Sequence, residues 1–293
     1  MPRKTIIVAN DMVGIGKVAL TIALPILSAC QIEAIPLPTV LLSSHTGGFE
    51  KVYAKNLTEE MGEILAVWEK LNYSPDGLLT GYFKSSEQMN LLLNFSQKMG
   101  LRRFVDPIMG DKGHLYSGFD DNFVINMRHF CYQAEVIIPN LTEAALLTNS
   151  PYLGEKYSIQ DIEQLLKKLA VLEVKHIILT GVSIKPGEVG FAHFDASNDK
   201  ISYYMSHKFA EHFYGTGDLL TAILGAAYFH KLDFGKMAEL SLTFINRTLK
   251  TTLECQNDLR YGLLYESHLN FLTTTVSHLL EEKHEKSLNT STN

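Results

Sequence analysis

A glycine-rich turn that ends in a carboxylate is the stretch of this chain best suited to chemistry. It reads Tyr214-Gly215-Thr216-Gly217-Asp218 and runs directly into an apolar helical pattern. Glycines let backbone N–H groups approach a ligand closely, and the first turn of a helix offers unpaired N–H groups to an anion. A base beside an anion site, with Asp218 as the base, predicts phosphoryl transfer to a hydroxyl group. The start of an ordinary core helix explains the same five residues, so the motif alone leaves both interpretations open.

Polar or glycine-rich segments also follow several short, apolar runs that are typical of buried strands. These segments begin after Ala9, Leu42, Val105, Ile138 and Leu179. The carboxyl ends of parallel strands meet at one edge of a sheet, so we expect the segments to gather over a single crevice. The segment after Val105 places an acid, a proline and two glycines together, which is typical of a mobile flap. Asn140 and Glu143 have the spacing of a helix capping pair, and His45 is interpreted as a structural histidine.

Strands alternate with amphipathic helices along the whole chain. This order predicts an α/β fold with a mostly parallel central sheet and helices on both faces. The pattern contains no linker or shift in composition, so residues 1–280 are predicted to form one domain. Residues 281–293 are charged and then rich in Ser, Thr and Asn, which predicts a disordered tail.

Composition limits the classes of function. The 293 residues are 46% apolar and carry a formal net charge of −6, which argues against a nucleic-acid-binding surface. No apolar run is long enough for a membrane span or a signal peptide. The cysteines are few and widely spaced, as expected of reduced thiols in a cytoplasmic protein: Cys30, Cys131 and Cys255.

Several segments together resemble the ribokinase-like kinases, and pyridoxal kinases in particular. They are Gly215-Thr216-Gly217-Asp218, Asp106-Pro107-Ile108-Met109-Gly110-Asp111-Lys112-Gly113-His114-Leu115-Tyr116, Pro139-Asn140-Leu141-Thr142-Glu143 and Ser44-His45-Thr46-Gly47. The resemblance implies a ribokinase-like three-layer fold. It also implies ATP-dependent phosphorylation of the 5′-hydroxymethyl group of pyridoxal, pyridoxamine or pyridoxine.

The same resemblance implies roles for individual residues. Asp218 would be the base, and the γ-phosphate would be held by the N–H groups of Gly215, Thr216 and Gly217. Mg²⁺ and its waters would lie near Asp106 and Glu143. The ATP side would be lined by Asp106, Asp111, Tyr116, Asn140, Glu143, Thr180, Thr216 and Gly217. The vitamer side would be lined by Thr46, Tyr82 and Asp218. Such kinases often use a monovalent cation such as K⁺ and form homodimers, and no residue here places that ion.

One position departs from the resemblance. Many pyridoxal kinases have a Ser-His pair after the first strand, whereas this chain has Asn10-Asp11. Our hypothesis is that Asp11 faces the nitrogen edge of the vitamer ring and favours its protonated form. The departure leaves the preferred vitamer open.

Three rival functions are considered. A kinase for hydroxymethylpyrimidine shares the fold, but its anion-hole motif often carries Cys where this chain has Asp218, and its flap differs. A sugar kinase is disfavoured because its N-terminal glycine pair is missing. A non-catalytic vitamer-binding protein would not need Asp218.

Overall fold

The computed structural model describes residues 3–71 and 73–291. Within them the strands are β1 Lys4–Ile15, β2 Ile32–Ser44, β3 Ala54–Asn56, β4 Gly77–Thr80, β5 Arg102–Val105, β6 Gly110–Asp111, β7 His114–Leu115, β8 Val136–Ile137, β9 His176–Val182, β10 Glu188–Asp195 and β11 Lys200–His207. The α-helices are α1 Leu20–Ala29, α2 Thr58–Trp68, α3 Ser86–Lys98, α4 Asp121–Cys131, α5 Leu141–Thr148, α6 Ile159–Leu169, α7 Thr216–His230, α8 Phe234–Glu254 and α9 Leu269–Ser291.

The main sheet has the strand order β11-β10-β9-β8-β5-β4-β1-β2-β3. Its six central strands, from β9 to β2, are parallel to one another. Antiparallel strands extend it at both ends, where the hairpin β10–β11 follows β9 and the short β3 pairs with β2. The predicted mostly parallel sheet is therefore confirmed. Because β2 and β4 lie on opposite sides of β1, the chain reverses its winding direction there, and a crevice opens between the carboxyl ends of β1 and β4.

Helices cover both faces of the sheet, and each face has its own hydrophobic core. Alternate residues of β1 point to opposite faces, so Ile7 and Ala9 belong to the core under α2 to α6, while Ile6 and Val8 belong to the core under α1, α7, α8 and α9. Helix α7 is buried along nearly its whole length, which explains its almost uninterrupted apolar sequence. The arrangement is the predicted three-layer α/β sandwich.

Several element boundaries differ from the sequence prediction. β1 continues through Asn10 and Asp11 to Ile15, although a loop was expected after Ala9, because Asn10 still pairs with β2 and the pairing resumes at Met12 after a shift in register. Likewise β9 continues through Thr180, which pairs with Phe191 of the hairpin.

The C-terminal region also differs from the prediction. Residues 281–291, expected to be a disordered tail, continue helix α9, while residues 292 and 293 lie outside the described residues. Contacts with the body of the protein explain the difference: Lys236 forms an ion pair with Glu282, and the Lys283 ammonium donates to the backbone carbonyl of His230. Among the residues described, no helix combines the length and the apolar character needed to cross a membrane.

Candidate active site

A cavity of about 560 Å³ lies at the crevice between the carboxyl ends of β1 and β4. All thirteen residues that the sequence singled out line this one cavity: Asp11, Thr46, Tyr82, Asp106, Asp111, Tyr116, Asn140, Glu143, Thr180, Gly215, Thr216, Gly217 and Asp218. They come from seven separate regions of the chain. The expectation that the polar segments after the strands share one crevice is therefore met, and the roles assigned to the individual residues remain predictions.

The N-terminus of α7 forms one wall. Gly215 has a φ of +89°, and a Cβ there would lie 2.6 Å from both the Lys17 carbonyl oxygen and the Ile22 side chain, so only glycine fits. At Gly217, by contrast, a Cβ would meet nothing within 4 Å. The first turn of α7 thus borders the open cavity, where an anion can approach its unpaired N–H groups.

Asp218 lies in the first turn of α7, beside this open space. Burial raises the pKa of the Asp218 carboxyl group, while hydrogen bonds from the backbone N–H groups of Ala19 and of Asp218 itself, and the neighbouring His45, act in the opposite direction. Ala19 has a φ of 51° and a ψ of −128°, which is strained for a residue with a Cβ. The strained turn before α1 therefore aims a backbone donor at Asp218.

Asp106 follows β5 and is held by a residue of α7. Its Oδ2 atom accepts a hydrogen bond of 2.8 Å from the Thr221 hydroxyl group, one helical turn after Asp218. Burial raises the Asp106 pKa to about 8, Thr221 lowers it, and the negative charge of Asp218 raises it further. Sequence reasoning did not single out Thr221, although its position three residues after Asp218 places the two side chains on the same helix face.

Glu143 closes the capping box of α5 and reaches a neighbouring loop as well. Its Oε2 atom accepts from the backbone N–H of Asn140 at 2.8 Å, and its Oε1 atom accepts from that of Met109 at 3.2 Å. Burial raises the pKa of Glu143 well above its ordinary value, and the charge of Asp106 adds to the rise. The predicted capping pair is confirmed, and the structure adds that the Glu143 carboxyl group joins α5 to the segment after β5.

The buried carboxyl groups fit a hydrated divalent cation. Asp106 and Glu143 repel each other, and neither forms an ion pair with Lys or Arg in the described part of the chain. A cation between them would offset that repulsion. No group of three or more His, Cys, Asp or Glu residues able to hold a metal is found in residues 3–71 and 73–291. Two carboxylates supplemented by waters and phosphate oxygens are what Mg²⁺ typically uses.

Asp11 is the acid on the β1 side of the cavity. It is 7% exposed, and burial together with the charge of Asp218 raises its pKa to about 7. The cavity wall includes Asp11 but not its neighbour Asn10, which the structure also describes. The Asn10 amide oxygen instead accepts hydrogen bonds from the backbone N–H groups of Asp11 and Tyr82, at 3.0 and 2.8 Å.

The loop after β2 closes the same side. The Nδ1 atom of His45 accepts from the Gly47 N–H at 3.1 Å, so Nε2 carries the proton and donates to the Arg260 carbonyl oxygen at 2.5 Å. The His45 ring also contacts the ring of Tyr214, with 4.6 Å between the centroids. The interpretation of His45 as a structural histidine agrees with these contacts: it holds Thr46 and the turn before α7 together at the cavity.

The flap consists of the two short strands β6 and β7. It is tied to the start of α5 by a hydrogen bond of 2.9 Å from the Gly113 N–H to the Thr142 hydroxyl oxygen, and by one of 2.9 Å from the Asn140 side-chain amide to the Gly110 carbonyl oxygen. Tyr116 lies at its end, where burial and four surrounding acids raise the pKa of the phenol. The flap is therefore anchored to α5, and its residues Asp111 and Tyr116 line the cavity.

Sequence reasoning missed other wall residues. Lys84, which follows β4, brings a positive charge to a cavity otherwise rich in acids, and Val40 and Leu42 of β2 add apolar surface. The signal for Lys84 was its place in the segment after a predicted strand. Val40 and Leu42 were indistinguishable from core residues, since alternation shows that they share a face of β2 and not what that face meets.

The model of the phosphomethylpyrimidine kinase family matches residues 24–261. This chain belongs to that family. The pyridoxal kinase of Dictyostelium discoideum is a relative of this chain. The two sequences are 24% identical over 239 residues, which cover 75% of this chain and 77% of that protein.

Solved structures agree with the family and the fold. The pyridoxal kinase of Lactobacillus plantarum superposes with a TM-score of 0.86 at 30% identity, covering 94% of this chain and 98% of the other. A protein of Bacteroides thetaiotaomicron, described as a phosphomethylpyrimidine kinase and crystallised with pyridoxal, gives a TM-score of 0.86 at 30% identity and covers 92% and 95% of the two chains. The predicted membership of the ribokinase-like kinases, and the predicted fold, are confirmed.

Proposed function

We propose that this protein is a kinase that transfers the γ-phosphoryl group of ATP to the 5′-hydroxymethyl group of a B6 vitamer, and that pyridoxal is among its substrates. The observation that carries the proposal is the placement of Asp218, the open N-terminus of α7 and the flap around one cavity. The names of the pyridoxal kinases to which the chain is similar support the choice of acceptor.

The cavity provides a general base for the hydroxyl group of the phosphoryl acceptor. Asp218 would take the proton from the substrate hydroxyl group as its oxygen attacks the γ-phosphorus, and the bond between that phosphorus and the β,γ-bridging oxygen would break to release ADP. Because burial raises the Asp218 pKa, the carboxylate is a stronger base than an exposed one. The N–H groups of Gly215, Thr216 and Gly217 would meet the charge that builds on the γ-phosphate oxygens.

Asp106 and Glu143 would hold Mg²⁺ through water, and the ion would supply charge neutralisation at the phosphates. The protein's own part in this is to keep both carboxylates in place, by the Thr221 hydroxyl group for Asp106 and by two backbone N–H groups for Glu143. The flap, with Asp111 and Tyr116, would cover the nucleotide and exclude water. Asn140 and Thr180 meet at a bridge between the start of α5 and β9, and they would line the nucleotide side. We also propose that a monovalent cation such as K⁺ assists near the anion hole, on the strength of the resemblance alone.

The vitamer would lie between β1, β2 and the segment after β4, near Thr46 and Tyr82. In this position Asp11 would face the nitrogen edge of the ring and favour its protonated form. Its pKa of about 7 means that Asp11 can be charged or neutral near neutral pH, so a protonated ring nitrogen would draw it toward the charged form. An Asp11→Ala enzyme that binds pyridoxal as well as the wild type would contradict this role.

The test is turnover of ATP by the purified protein with Mg²⁺, offering pyridoxal, pyridoxamine, pyridoxine and hydroxymethylpyrimidine separately. Asp218→Asn should lower kcat by roughly 10²–10⁴-fold, as expected for the loss of a general base. The exposed Asp199→Asn serves as the matched control and should leave kcat unchanged. A fully active Asp218→Asn enzyme would refute the assignment of the base.

A second candidate function is supported by the family model itself, whose description names phosphomethylpyrimidine kinase. Turnover of hydroxymethylpyrimidine alone would favour it. Binding of a vitamer with no turnover of any acceptor would favour a non-catalytic binding protein. The proposal further includes a homodimer in the cytoplasm, for which size-exclusion chromatography with light scattering and cell fractionation are the tests.

A further inference from the structure

The backbone of Tyr82 is held by side chains on both of its polar groups. Tyr82 follows β4 and lies outside any strand. Its N–H donates to the Asn10 amide oxygen of β1 at 2.8 Å, and its carbonyl oxygen accepts from the Thr39 hydroxyl group of β2 at 2.7 Å. In a sheet these groups would pair with a neighbouring strand. Here two side chains take the place of that strand.

The two residues that hold Tyr82 are buried. Thr39 is 0% exposed and Asn10 is 4% exposed, and neither belongs to the cavity wall described above. Further hydrogen bonds fix each of them: the Asn10 oxygen also accepts from the Asp11 N–H at 3.0 Å, and the Thr39 carbonyl oxygen accepts from the Gln88 side chain at 2.8 Å. Buried side chains with several hydrogen-bond partners have little conformational freedom, so they hold the groups that they contact in a fixed position.

The local backbone is arranged to permit this contact. The register between β1 and β2 shifts here, because Asn10 pairs with Pro38 whereas Met12 pairs with Leu41. Such an irregularity re-aims the side chains around it. A Cβ at Gly81 would clash with the Asn10 side-chain amide, so the glycine lets Asn10 reach the backbone beyond it.

We propose that Asn10 and Thr39 are positioning residues that set the place of the Tyr82 ring and thereby the affinity of the cavity for a planar, aromatic substrate ring. Tyr82 lines the cavity beside Asp11, and its ring leans on that of Phe119, with 5.6 Å between centroids. Asn10 therefore acts through the backbone of Tyr82 and of Asp11, and not by contact with the ligand. This inference rests on the proposed function for the identity of the ring.

The main test uses Thr39, because its substitutions change one hydrogen bond and no charge. Thr39→Val keeps the shape and removes the donor to the Tyr82 carbonyl oxygen, and Thr39→Ser keeps the donor. We expect the pyridoxal Kd of Thr39→Val, measured by titration calorimetry without nucleotide, to rise roughly five- to tenfold, the effect of one lost buried hydrogen bond. The KM for ATP should change less than about twofold, and Thr39→Ser should bind pyridoxal as the wild type does.

Thr248→Val is the matched control. The Thr248 hydroxyl group is buried in α8 and has no hydrogen-bond partner within the described residues, so its removal tests the general effect of a buried Thr→Val change. The pyridoxal Kd should be unchanged in this variant. A rise equal to that of Thr39→Val would overturn the inference.

A double-mutant cycle with Tyr82→Ala shows whether Thr39 acts through Tyr82. If it does, Thr39→Val has no further effect on the pyridoxal Kd once the ring is gone; effects that add independently would refute the inference. Failure of the proposed function would look different, because the wild-type protein would then neither bind nor phosphorylate pyridoxal. Weak pyridoxal binding by Tyr82→Ala together with normal binding by Thr39→Val would overturn this inference alone.

Discussion

Replacement of Asp11 by Asn should stabilise the protein, and the gain should depend on pH. Asp11 is buried beside Asp218, and burial and this neighbouring charge raise its pKa from an ordinary 3.8 to about 7. Between these two values the unfolded chain has released the proton while the folded protein still holds it. The folded state therefore becomes less stable, relative to the unfolded state, as the pH rises from about 4 to about 7.

The size of the effect follows from the same two values. The pKa of Asp11 rises by about 3, and each pKa unit corresponds to about 1.4 kcal/mol. The folded protein therefore loses about 4 kcal/mol of stability above pH 7. This figure is an upper bound because the charges of Asp11 and Asp218 influence each other, so the two groups do not titrate independently. Asn cannot ionise, so Asp11→Asn avoids this loss. Its gain in the free energy of unfolding should be small near pH 4 and largest above pH 7.

Urea unfolding of both proteins at pH 5 and pH 8, without ligand, measures the gain. We expect the difference between Asp11→Asn and the wild type to be about 2–3 kcal/mol larger at pH 8 than at pH 5. The exposed Asp199→Asn should show no such dependence. An equal difference at both pH values would refute the reasoning that a buried, charged Asp11 costs stability. Weaker pyridoxal binding by the stabilised variant would show that the cost is retained for function.

Three further outcomes are expected. Gly77→Ala should lower the free energy of unfolding by about 1–3 kcal/mol, because its Cβ would overlap the Phe229 ring of α7. Gly62→Ala in α2 should raise it by about 0.5–1 kcal/mol, because its Cβ would meet only the Leu91 side chain, at an ordinary contact distance of 3.9 Å. Urea titration measures both. Asn140→Ala removes the acceptor for two N–H groups of α5, so stability should fall by about 1–2 kcal/mol and the KM for ATP should rise. Thr221→Val frees the Asp106 carboxylate, and we expect the Mg²⁺ concentration for half-maximal turnover to rise several-fold, with Thr221→Ser near the wild type.

Local features of the fold were largely predictable. The Asn140–Glu143 capping box involves neighbours three residues apart, and it is present as expected. At the start of α2, Thr58 is the first helical residue, with Leu57 before it. The Thr58 N–H and hydroxyl group both donate to the side chain of Asn56, two residues earlier at the end of the short edge strand β3.

Contacts between segments that are distant in sequence explain why β1 and α9 were predicted too short. Asn10 and Asp11 are polar and look like a loop, but the pairing of Asn10 and Met12 with β2 keeps this segment in the strand. The last residues of α9 are charged and look like a tail, but α8 and the end of α7 provide partners for Glu282 and Lys283. Neither partner is close in sequence, so no local pattern reveals it.

The sequence by itself determined the types of groups at the site and the edge of the sheet where they meet. Glycines before an N-terminal helix turn, acids after strands and alternating strands and helices are local properties, and they indicate an anion site and a base in an α/β fold. Only the tertiary structure decided the pKa shifts of the acids. It also decided that Asp11 lines the cavity while Asn10 binds the backbone of Tyr82. Burial raises the pKa values of Asp11, Asp106, Glu143 and Asp218, and the charge of a neighbouring acid adds to the rise at the first three. Both effects depend on side chains that are distant along the chain. Of the adjacent polar residues Asn10 and Asp11, only Asp11 lines the cavity, at the point where the register between β1 and β2 shifts.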